Sequence, residues 1–597
     1  MSRNKLLDMR DAKFILYDQL GVEDLCGYER YRDHSKETFE MIWQAAEKLA
    51  INDFAPANRP GDEIGCRWSD GRVTVPEPYR TPFEKYCEGG WICVPEDESV
   101  GGQNVPLSVY YVCSMMFFAA NHSLAGYMGL THSAAKVIEA FGTEEQKRKY
   151  MVPLYVGRYA GGMNLTEPQA GSDVGAIRTK ASENADGTYS ITGGKIFITG
   201  GEQDISENII HIVLARIAGD PLGTAGVSCF VVPKIRVAAD GSLGEGNDVT
   251  CAGIEHKMGM RGSATCALNY GENGKCLGEL LGPERKGVSV MFHMMNEQRV
   301  LVGSQGLAQA STAYLHALDF AKERKQGSEF GSKSPSQVAI AGHPDIKRNL
   351  LWMKAYSEGM RALVLFTVYC MDKLSVCKDN VERSKWQDLI EVLTPVCKAY
   401  CTDRGFDVCV RAMQVHGGYG YCQEYPVEQF LRDCKITSIY EGTNGIQALD
   451  LFGRKVRMRK GAALQTVFDR MTQDILEARK SQELKAYADE VEKALSELRD
   501  VTAVLIADST SSNAYRAYSW ATDYLEIFGD VVLGWMFLWQ AMKAQEKLSV
   551  SDQEKDFYLN KIDTAKFYIG DLLPRVYGKI AAIRKNEDAI SRIPEWS

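Results

Sequence analysis

The spacing of hydrophobic residues divides most of the chain into helical and strand regions. Over residues 36–157 apolar residues recur every three or four positions, as at Phe39 and Trp43, which predicts an N-terminal helical domain. Over residues 158–280 the pattern changes to short alternating runs separated by glycine-containing turns, which predicts a β domain. Helical spacing resumes over residues 281–456. The order helix, sheet, helix predicts an α+β protein with three core domains.

The two ends of the chain differ from this core. Residues 1–35 show no strong periodicity, and we expect them to form an extension that packs on the body. Residues 461–597 contain apolar residues at helical spacing, beginning at Leu464 and Phe468, and no glycine occurs between residues 462 and 528. We therefore predict an appended helical domain that serves packing or oligomerisation.

The composition is that of a globular protein, and its charge argues against nucleic-acid binding. Hydrophobic residues make up 45% of the 597 residues and charged residues 25%, as in ordinary folded domains. The net charge of −9 predicts no dominant attraction to phosphate backbones. We interpret the dense basic run Arg454–Lys460 as a helix end or domain junction, with a nucleic-acid site or a subunit contact as the alternatives.

The chain carries no pattern typical of a signal peptide or a membrane span. Its N-terminus leads into no apolar signal core. The apolar run Ala362–Met371 is about half of the roughly 20 residues that a spanning helix needs. We expect no membrane span and a cytoplasmic location.

The sixteen cysteines and nine histidines predict neither disulfides nor a metal site. No Cys-x-x-Cys pair occurs, so reduced and mostly buried thiols are expected. No His-x-x-x-His pattern or zinc-finger spacing occurs, so we predict no metal. No Gly-x-Gly-x-x-Gly follows a predicted strand and opens a helix, which argues against a Rossmann site for NAD or FAD.

Three separate segments carry candidate chemistry. The run Ile-Tyr-Glu-Gly-Thr-Asn-Gly places Glu441 directly before glycine turns; we interpret Glu441 as a catalytic base, although a lone glutamate there is more often a capping or solvated residue. Met163–Asp173 joins a predicted strand to a loop rich in hydroxyl and N–H groups, which either binds the edge of a planar heterocycle or forms an ordinary turn. Gly193–Gly201 alternates like a strand, so Phe197 and Thr199 share one face.

Together these segments resemble those of the acyl-CoA dehydrogenase family, over residues 36 to 456. The chain length, the N-terminal extension and the runs 201–208 and 254–259 look closest to the long subgroup that contains 3-methylmercaptopropionyl-CoA dehydrogenase. The resemblance implies an N-terminal helical domain, a middle β-barrel or sandwich domain, and a C-terminal four-helix bundle that carries the base. The appended helical domain then follows this bundle.

The resemblance also implies a reaction. Family members hold FAD between the β domain and the second helical domain, partly covered by a neighbouring subunit, so a homodimer or homotetramer is expected. Glu441 would take the proton α to an acyl-CoA thioester while hydride leaves the β carbon for flavin N5, giving a trans-2-enoyl-CoA. The thioester oxygen would be held by the backbone N–H of the base residue and a ribityl hydroxyl. Electrons would then pass to electron-transferring flavoprotein.

Further residues take roles only through this resemblance. Arg324 matches an arginine that contacts the FAD pyrophosphate across a subunit interface, although the Thr-Phe that usually follows is replaced by Gln326–Gly327. Without the resemblance, Arg324 is an exposed helix-end charge and Arg299 is half of a salt bridge within its helix. The resemblance assigns FAD contacts to Met163, Leu165, Thr166, Gly171, Ser172, Phe197, Thr199, Arg324, Gln414, Gly417, Gly418, Thr443 and Gly445. It assigns substrate contacts to Ser172, Arg299, Tyr440 and Gly442.

Two other functions and the choice of substrate stay open. An acyl-CoA oxidase would reoxidise the flavin with oxygen and release hydrogen peroxide. A nucleic-acid-binding flavoprotein of the same fold would be similar to the DNA-alkylation response relatives, but the acidic C-terminal region and the intact Glu441 favour the dehydrogenase. The subgroup resemblance implies a short or modestly sized acyl chain, although the same subgroup label also covers branched, aromatic and alicyclic substrates. The apolar run Met115–Phe118 either borders an acyl pocket or belongs to the core.

Overall fold

The chain forms two compact units in the computed structural model, which describes residues 4–332, 336–550, 553–585, 587 and 589–593. The first, which we call the β-containing unit, comprises Glu37–Val105 and Met116–Gln298. The second, the helical unit, comprises Met1–Lys36, Pro106–Met115 and Arg299–Ser597. The domain bounds inferred from the hydrophobic pattern stay predictions.

Aromatic side chains hold together the helical part of the β-containing unit. The ring of Phe117 lies 5.0 Å from that of Phe54, 5.0 Å from that of Tyr86 and 5.4 Å from that of Trp91, measured between centroids. All four residues of Met115–Phe118 are buried, which agrees with a core position, and a role at the border of an acyl pocket stays a prediction. The α-helices that contribute to this part are Lys36–Leu49, Ala55–Ile64, Arg80–Glu88, the C-terminal end of Leu107–Ala120, His122–Phe141, Glu144–Gln146 and Val152–Tyr155.

The β part is a barrel around one apolar core. Strand Lys180–Glu183 pairs with both Tyr189–Thr199 and Asn208–Ile217, which are also joined through two further strands, so five strands close into a ring. The core includes Ala181 and Phe230. This barrel confirms the middle domain expected from the family resemblance. The sheet order is Val249–Ile254, Thr265–Tyr270, Tyr189–Thr199, Leu277–Leu280, Val227–Pro233, Asn208–Ile217 and Tyr159–Asn164. Only the pairs of Asn208–Ile217 with Tyr159–Asn164 and with Lys180–Glu183 are parallel among the strands of this described sheet.

Close backbone contacts set the packing of the long helices in the helical unit. A Cβ atom on Gly303 would lie 2.5 Å from the carbonyl oxygen of Cys397, and one on Gly306 would lie 2.8 Å from Cα of Thr402. Only glycine permits this approach without a shift of the backbone. The helices that build the expected bundle are Gly287–Glu323, Pro344–Val376, Asn380–His416, Val427–Lys435 and Asn444–Gly453. Short strand pairs elsewhere are Arg67–Ser69 with Arg72–Thr74, Ile235–Val237 with Leu243–Gly246, and Lys325–Ser328 with Gln337–Ala339.

The N-terminal segment is helical, although its sequence shows no strong periodicity. Helix Met9–Lys13 continues as the π-helical turn Phe14–Gln19, which buries Phe14 and the two residues after it. Consecutive buried positions have no helical period, which is why the pattern did not predict this helix. Asp11 is buried and accepts a hydrogen bond from Lys561 Nζ at 2.6 Å. The segment is therefore tied to the appended domain by charge as well as by apolar packing.

The appended domain is helical, as the spacing predicted. Ala521–Val550 has the length and composition of a membrane span, but 89% of its apolar window is buried inside the protein, as in a core helix. The basic run before this domain is engaged in ion pairs, including Lys455 with Glu391 and Arg459 with Asp388, which agrees with a junction. The helices are Ala462–Ala478, Lys485–Asp508, Ala514–Ser519, Ala521–Val550, Lys555–Phe567, Val576–Arg584 and Ala589–Arg592.

Candidate functional site

Glu441 lies in a left-handed turn that leads into helix Asn444–Gly453. The backbone φ angles of Glu441 and Gly442 are 55° and 81°, a region that residues with a Cβ seldom adopt. The side-chain amide of buried Gln447 donates to the carbonyl oxygens of both residues at 3.2 Å. Thr443 Oγ1 caps the helix by accepting the N–H of Ile446 at 3.3 Å. These hydrogen bonds fix the turn that carries the carboxylate.

The surroundings of Glu441 favour its use as a base. The side chain is partly buried, and burial raises the pKa of Glu441 above its ordinary value. The cations of Lys398 and Arg299 act against that rise. A general base is most effective when its pKa lies near the working pH, and burial moves a carboxyl group in that direction.

Lys398 is a fully buried cation whose charge acts on Glu441. Its relative exposure is 0%, and Nζ donates to Asn444 Oδ1 at 2.9 Å. Asn444 in turn donates to Thr402 Oγ1 at 2.9 Å, so the turn after Glu441 is joined to the helix that carries Lys398. Burial lowers the pKa of Lys398 to about 7, although nearby carboxylates act to raise it.

Arg299 and Tyr440 both have protein partners. Arg299 is 3% exposed, and its Nη1 donates to Asp450 Oδ2 at 2.8 Å. This salt bridge joins two helices and is not the bridge within one helix that the sequence alone suggested. The Tyr440 hydroxyl donates to Gln305 Oε1, and burial raises the pKa of Tyr440. Substrate contact by Arg299 and Tyr440 stays a prediction.

In the β-containing unit, Glu167 organises the loop that follows strand Tyr159–Asn164. Its buried carboxylate accepts hydrogen bonds from Lys195 Nζ at 2.8 Å, Thr179 Oγ1 at 2.6 Å and the N–H of Arg178 at 2.7 Å. Burial acts to raise the pKa of Glu167, but Lys195 and the other donors lower it to about 2. The loop is therefore held by an ionised carboxylate whose partners are all internal.

This loop and the strand beside it present polar groups to a ligand. Among the described residues, the hydroxyls of Thr166, Ser172 and Thr199 make no hydrogen bond to the protein. The N–H of Ile196 donates to the carbonyl oxygen of Thr166 at 2.9 Å, which joins the loop to the strand that carries Phe197. A planar heterocycle with donors and acceptors along its edge suits such a surface.

Phe197 lies at a β-bulge and is exposed. The register of strand Tyr189–Thr199 shifts by one residue here, and the φ angle of Phe197 is 58°. Phe197 is 58% exposed and Thr199 is half-buried, whereas Ile198 between them is buried. Both side chains thus lie outside the barrel core.

Arg324 lines a cleft at the end of helix Gly287–Glu323. The cleft has a volume of about 340 Å³ and includes the exposed residues Gly417 and Gly418. A Cβ atom on Gly418 would meet no atom within 4 Å, so the backbone there is open. Arg324 Nη2 donates to Gln326 Oε1 at 3.3 Å, and no carboxylate pairs with Arg324 in the part of the chain that the structure describes. Its guanidinium is available to an anionic group.

The structure gathers the residues predicted from the sequence into three groups, and their roles stay predictions. Around the base turn lie Glu441, Gly442, Thr443, Gly445, Tyr440 and Arg299. At the cleft lie Arg324, Gly417 and Gly418, with exposed Gln414 shortly before them. In the β-containing unit lie the half-buried Met163, Leu165, Thr166 and Thr199 and the exposed Gly171, Ser172 and Phe197.

Sequence reasoning missed residues that hold these groups in place. Lys398 is the one charged residue in the otherwise uncharged stretch 392–401, and a charge at that place was the available signal. Gln447 and Glu167 lie inside the quoted motifs, but only the folded chain shows what they contact. No cluster of three or more His, Cys, Asp or Glu side chains suited to a metal occurs within the described ranges, and the absence of a metal stays a prediction.

Four family models match successive parts of the chain. Three describe acyl-CoA dehydrogenase: the N-terminal domain over residues 36–158, the middle domain over 162–272 and the C-terminal domain over 285–455. The fourth, described as acetyl-CoA dehydrogenase C-terminal like, matches residues 467–594. The appended helices thus match a known family domain of their own, which follows the three acyl-CoA dehydrogenase domains in this chain.

Similarity to relatives extends over nearly the whole chain. The chain is 35% identical to a butyryl-CoA dehydrogenase of Syntrophomonas wolfei subsp. wolfei over 99% of both chains. It is 36% identical to the 3-methylmercaptopropionyl-CoA dehydrogenase of Ruegeria pomeroyi, over 93% of this chain and 95% of the relative. Its fold is similar to that of an acyl-CoA dehydrogenase complexed with FAD from Bacillus anthracis, with a TM-score of 0.74 and 23% identity over 94% of this chain and 91% of that one. The resemblance predicted from three short segments is confirmed, and the chain belongs to the acyl-CoA dehydrogenase family.

Proposed function

We propose that this protein is an FAD-dependent acyl-CoA dehydrogenase in which Glu441 removes the proton α to the thioester. The setting of Glu441 carries the proposal: the carboxyl group stands in a hydrogen-bonded left-handed turn, and burial raises its pKa. A weakly acidic carbon needs a positioned base of this kind. The backbone N–H of the same residue is the donor that the family resemblance assigns to the thioester oxygen.

The residues present fit a flavin. The free hydroxyls of Thr166, Ser172 and Thr199 suit the polar edge of the ring, and exposed Phe197 offers an aromatic surface. Arg324 has a guanidinium without a carboxylate partner in the described chain, which suits a pyrophosphate. When bound, FAD would accept hydride from the β carbon, so two C–H bonds break and one C=C bond forms.

A short acyl-CoA is the proposed substrate and a trans-2-enoyl-CoA the product. The names of the two full-length relatives describe butyryl-CoA and 3-methylmercaptopropionyl-CoA, which both carry short acyl groups. We expect both thioesters to bleach the bound flavin under anaerobic conditions, and longer, branched or aromatic thioesters to do so more slowly. Faster bleaching by the branched or aromatic thioesters would contradict this choice.

The proposed partners are electron-transferring flavoprotein and further copies of this chain. The family resemblance supports both, because Arg324 would reach the FAD of a neighbouring subunit in a homodimer or homotetramer. Light scattering on the purified protein would measure the oligomer, and a monomer that retains FAD fully would contradict this part. Turnover with oxygen and release of hydrogen peroxide, without need of the flavoprotein, would show an oxidase instead.

Replacement of Glu441 tests the central claim. Glu441→Gln keeps the shape of the side chain but removes the base, so we expect bound FAD to remain and anaerobic bleaching by butyryl-CoA to slow by about 10²–10⁴-fold. The matched control is Glu424→Gln, at an exposed glutamate of the same unit, which should bleach at the original rate. Unchanged bleaching of Glu441→Gln would mean that another residue is the base. Failure of the wild-type chain to bind flavin after reconstitution would overturn the whole proposal.

A further inference from the structure

Lys398 occupies a position that water does not reach. It follows Cys397, at the point where the helices Gly287–Glu323 and Asn380–His416 approach through Gly303 and Gly306. A Cβ atom on Gly303 would lie only 3.4 Å from the backbone nitrogen of Lys398. The backbone of Lys398 thus lies beside the close crossing of the two helices, and the residue has no exposed surface.

The contacts of Lys398 are unusual for a buried charge. Its Nζ donates to the neutral Asn444 Oδ1 at 2.9 Å, and in the described chain no carboxylate lies within ion-pair distance of it. A buried ammonium normally requires a paired and hydrogen-bonded anion. The charges that act on Lys398 at longer range are those of Glu441, Asp403 and Arg299. Its location therefore calls for an explanation beyond the stability of the fold.

We propose that Lys398 is a positioning residue for the Glu441 base: its ammonium, held by Asn444 Oδ1, keeps the carboxylate ionised and anchors the turn that carries it. This rests on the proposed function, in which Glu441 takes the proton. Asn444 lies three residues after Glu441 and also donates to Thr402, so hydrogen bonds join the lysine and its helix to the segment that carries the base. Lys398 thus acts on the reaction through Glu441 and needs no contact with substrate.

The other charged and titratable groups do not replace Lys398. Arg299 also acts on Glu441, but its guanidinium is engaged with Asp450 at 2.8 Å. The charge of Glu441 acts to raise the pKa of Tyr440, and the Tyr440 hydroxyl donates a hydrogen bond to Gln305 Oε1. Burial already raises the pKa of Glu441, and without the Lys398 charge this pKa would rise further. Proton removal would then need a higher pH.

The first measurement is the rate of anaerobic flavin bleaching by butyryl-CoA as a function of pH. Lys398→Gln keeps a donor for Asn444 Oδ1 but carries no charge, and Lys398→Met removes both. We expect both variants to move the rising limb of the pH–rate profile to higher pH by about 1 unit. This is the lower end of the pKa shift that a nearby opposite charge produces in a carboxyl group. Bleaching below that limb should be about tenfold slower.

Two further variants separate charge from packing. Lys398→Arg retains the charge and should keep the wild-type limb, even if its larger side chain lowers the rate at every pH. Lys435→Met removes a nearby lysine whose Nζ donates to Ser438 Oγ at 3.1 Å, and should leave the pH profile unchanged. An unchanged limb in Lys398→Gln, or an equal shift in Lys398→Arg, would overturn the proposal.

A second measurement does not depend on activity. In a double-mutant cycle, Tm is measured for the wild type, the two single variants and the double variant of Lys398→Gln and Glu441→Gln. Lys398→Gln should lower Tm more when Glu441 is present than in the Glu441→Gln background. The change caused by Lys435→Met should be the same in both backgrounds. Additive Tm changes for Lys398→Gln and Glu441→Gln would overturn the proposal. If no acyl-CoA bleaches the wild-type flavin, the proposed function fails, while this cycle still decides whether Lys398 and Glu441 are coupled.

Discussion

Two buried lysines in the helical unit have opposite surroundings. Lys561 is 1% exposed and donates to Asp11 at 2.6 Å and to Glu358 at 2.8 Å. Burial acts to lower the pKa of Lys561, but these two carboxylates outweigh it and raise the pKa. Lys398 is equally buried, contacts only an amide oxygen, and has a pKa lowered to about 7. Burial is the same for both, so contact with an anion decides the sign of the shift.

The comparison distinguishes Lys561, whose charge stabilises the fold, from Lys398, whose charge acts on the site. Lys561 joins three parts of the chain, because Asp11 lies in the N-terminal segment, Glu358 in a bundle helix and Lys561 itself in the appended domain. Its protonation does not change near neutral pH. Lys398 sits near the middle of its titration at neutral pH and acts on Glu441, so its charge bears on the chemistry of the site.

The largest expected effect is loss of stability on removal of the structural charge. Lys561→Met removes the cation that Asp11 and Glu358 share. Because Asp11 still pairs with Arg361 and Glu358 with Lys354, we expect the free energy of unfolding to fall by about 3 kcal/mol, the lower end for a broken buried pair. The fall should appear as a lower Tm and a lower urea midpoint. The control, Lys543→Met, breaks the solvent-accessible pair with Glu546 and should cost no more than about 1 kcal/mol. Equal losses of stability in the two variants would show that the buried ion pairs of Lys561 stabilise the fold no more than the solvent-accessible pair of Lys543 does.

The next effect concerns the pH dependence of stability. The unfolded chain holds the Lys398 proton up to a pH near 10.5, whereas the folded chain releases it near 7, so raising the pH favours the folded state. Between pH 7 and 9 this lysine should add about 2 kcal/mol to the free energy of unfolding. Lys398→Met should lack that increase in urea titrations at the two pH values. If the free energy of unfolding of Lys398→Met rises as much as that of the wild type, Lys398 is still charged at pH 9 in the folded protein.

The smallest expected effect is at Lys195, a third buried lysine with one contact carboxylate. Its Nζ donates to Glu167 at 2.8 Å and to the carbonyl oxygen of Leu165 at 3.0 Å, and burial lowers its pKa to about 8. In Lys195→Met, Glu167 keeps its other donors, so we expect only a looser loop and FAD retention about tenfold weaker, or about 1.4 kcal/mol. Equilibrium dialysis of flavin would measure this. The exposed Lys180, changed to Met, is the matched control, and equal retention in both variants would contradict a role of this pair in the loop.

The fold was largely predictable from the sequence, and the site only partly. Helical spacing and strand alternation are local properties, so they indicated the order of helices and strands. The N-terminal helix was not predicted because it buries consecutive residues, which gives no helical period. It is held by Asp11, whose partner Lys561 is far along the chain. Glu441 was identified because its neighbours form a motif. Lys398 was not, because an isolated lysine in a helix gives no sign of burial.

By itself the sequence determined the class of fold, the family and the candidate base, because periodicity and short motifs reside in contiguous residues. Only the tertiary structure decided which charges are buried, which are paired and which act on the base. Those properties depend on exclusion of water where two helices meet through Gly303 and Gly306, and on distances between groups such as Lys398 and Glu441. A pKa reflects local dielectric and neighbouring charge, and neither is encoded in the order of residues along one segment.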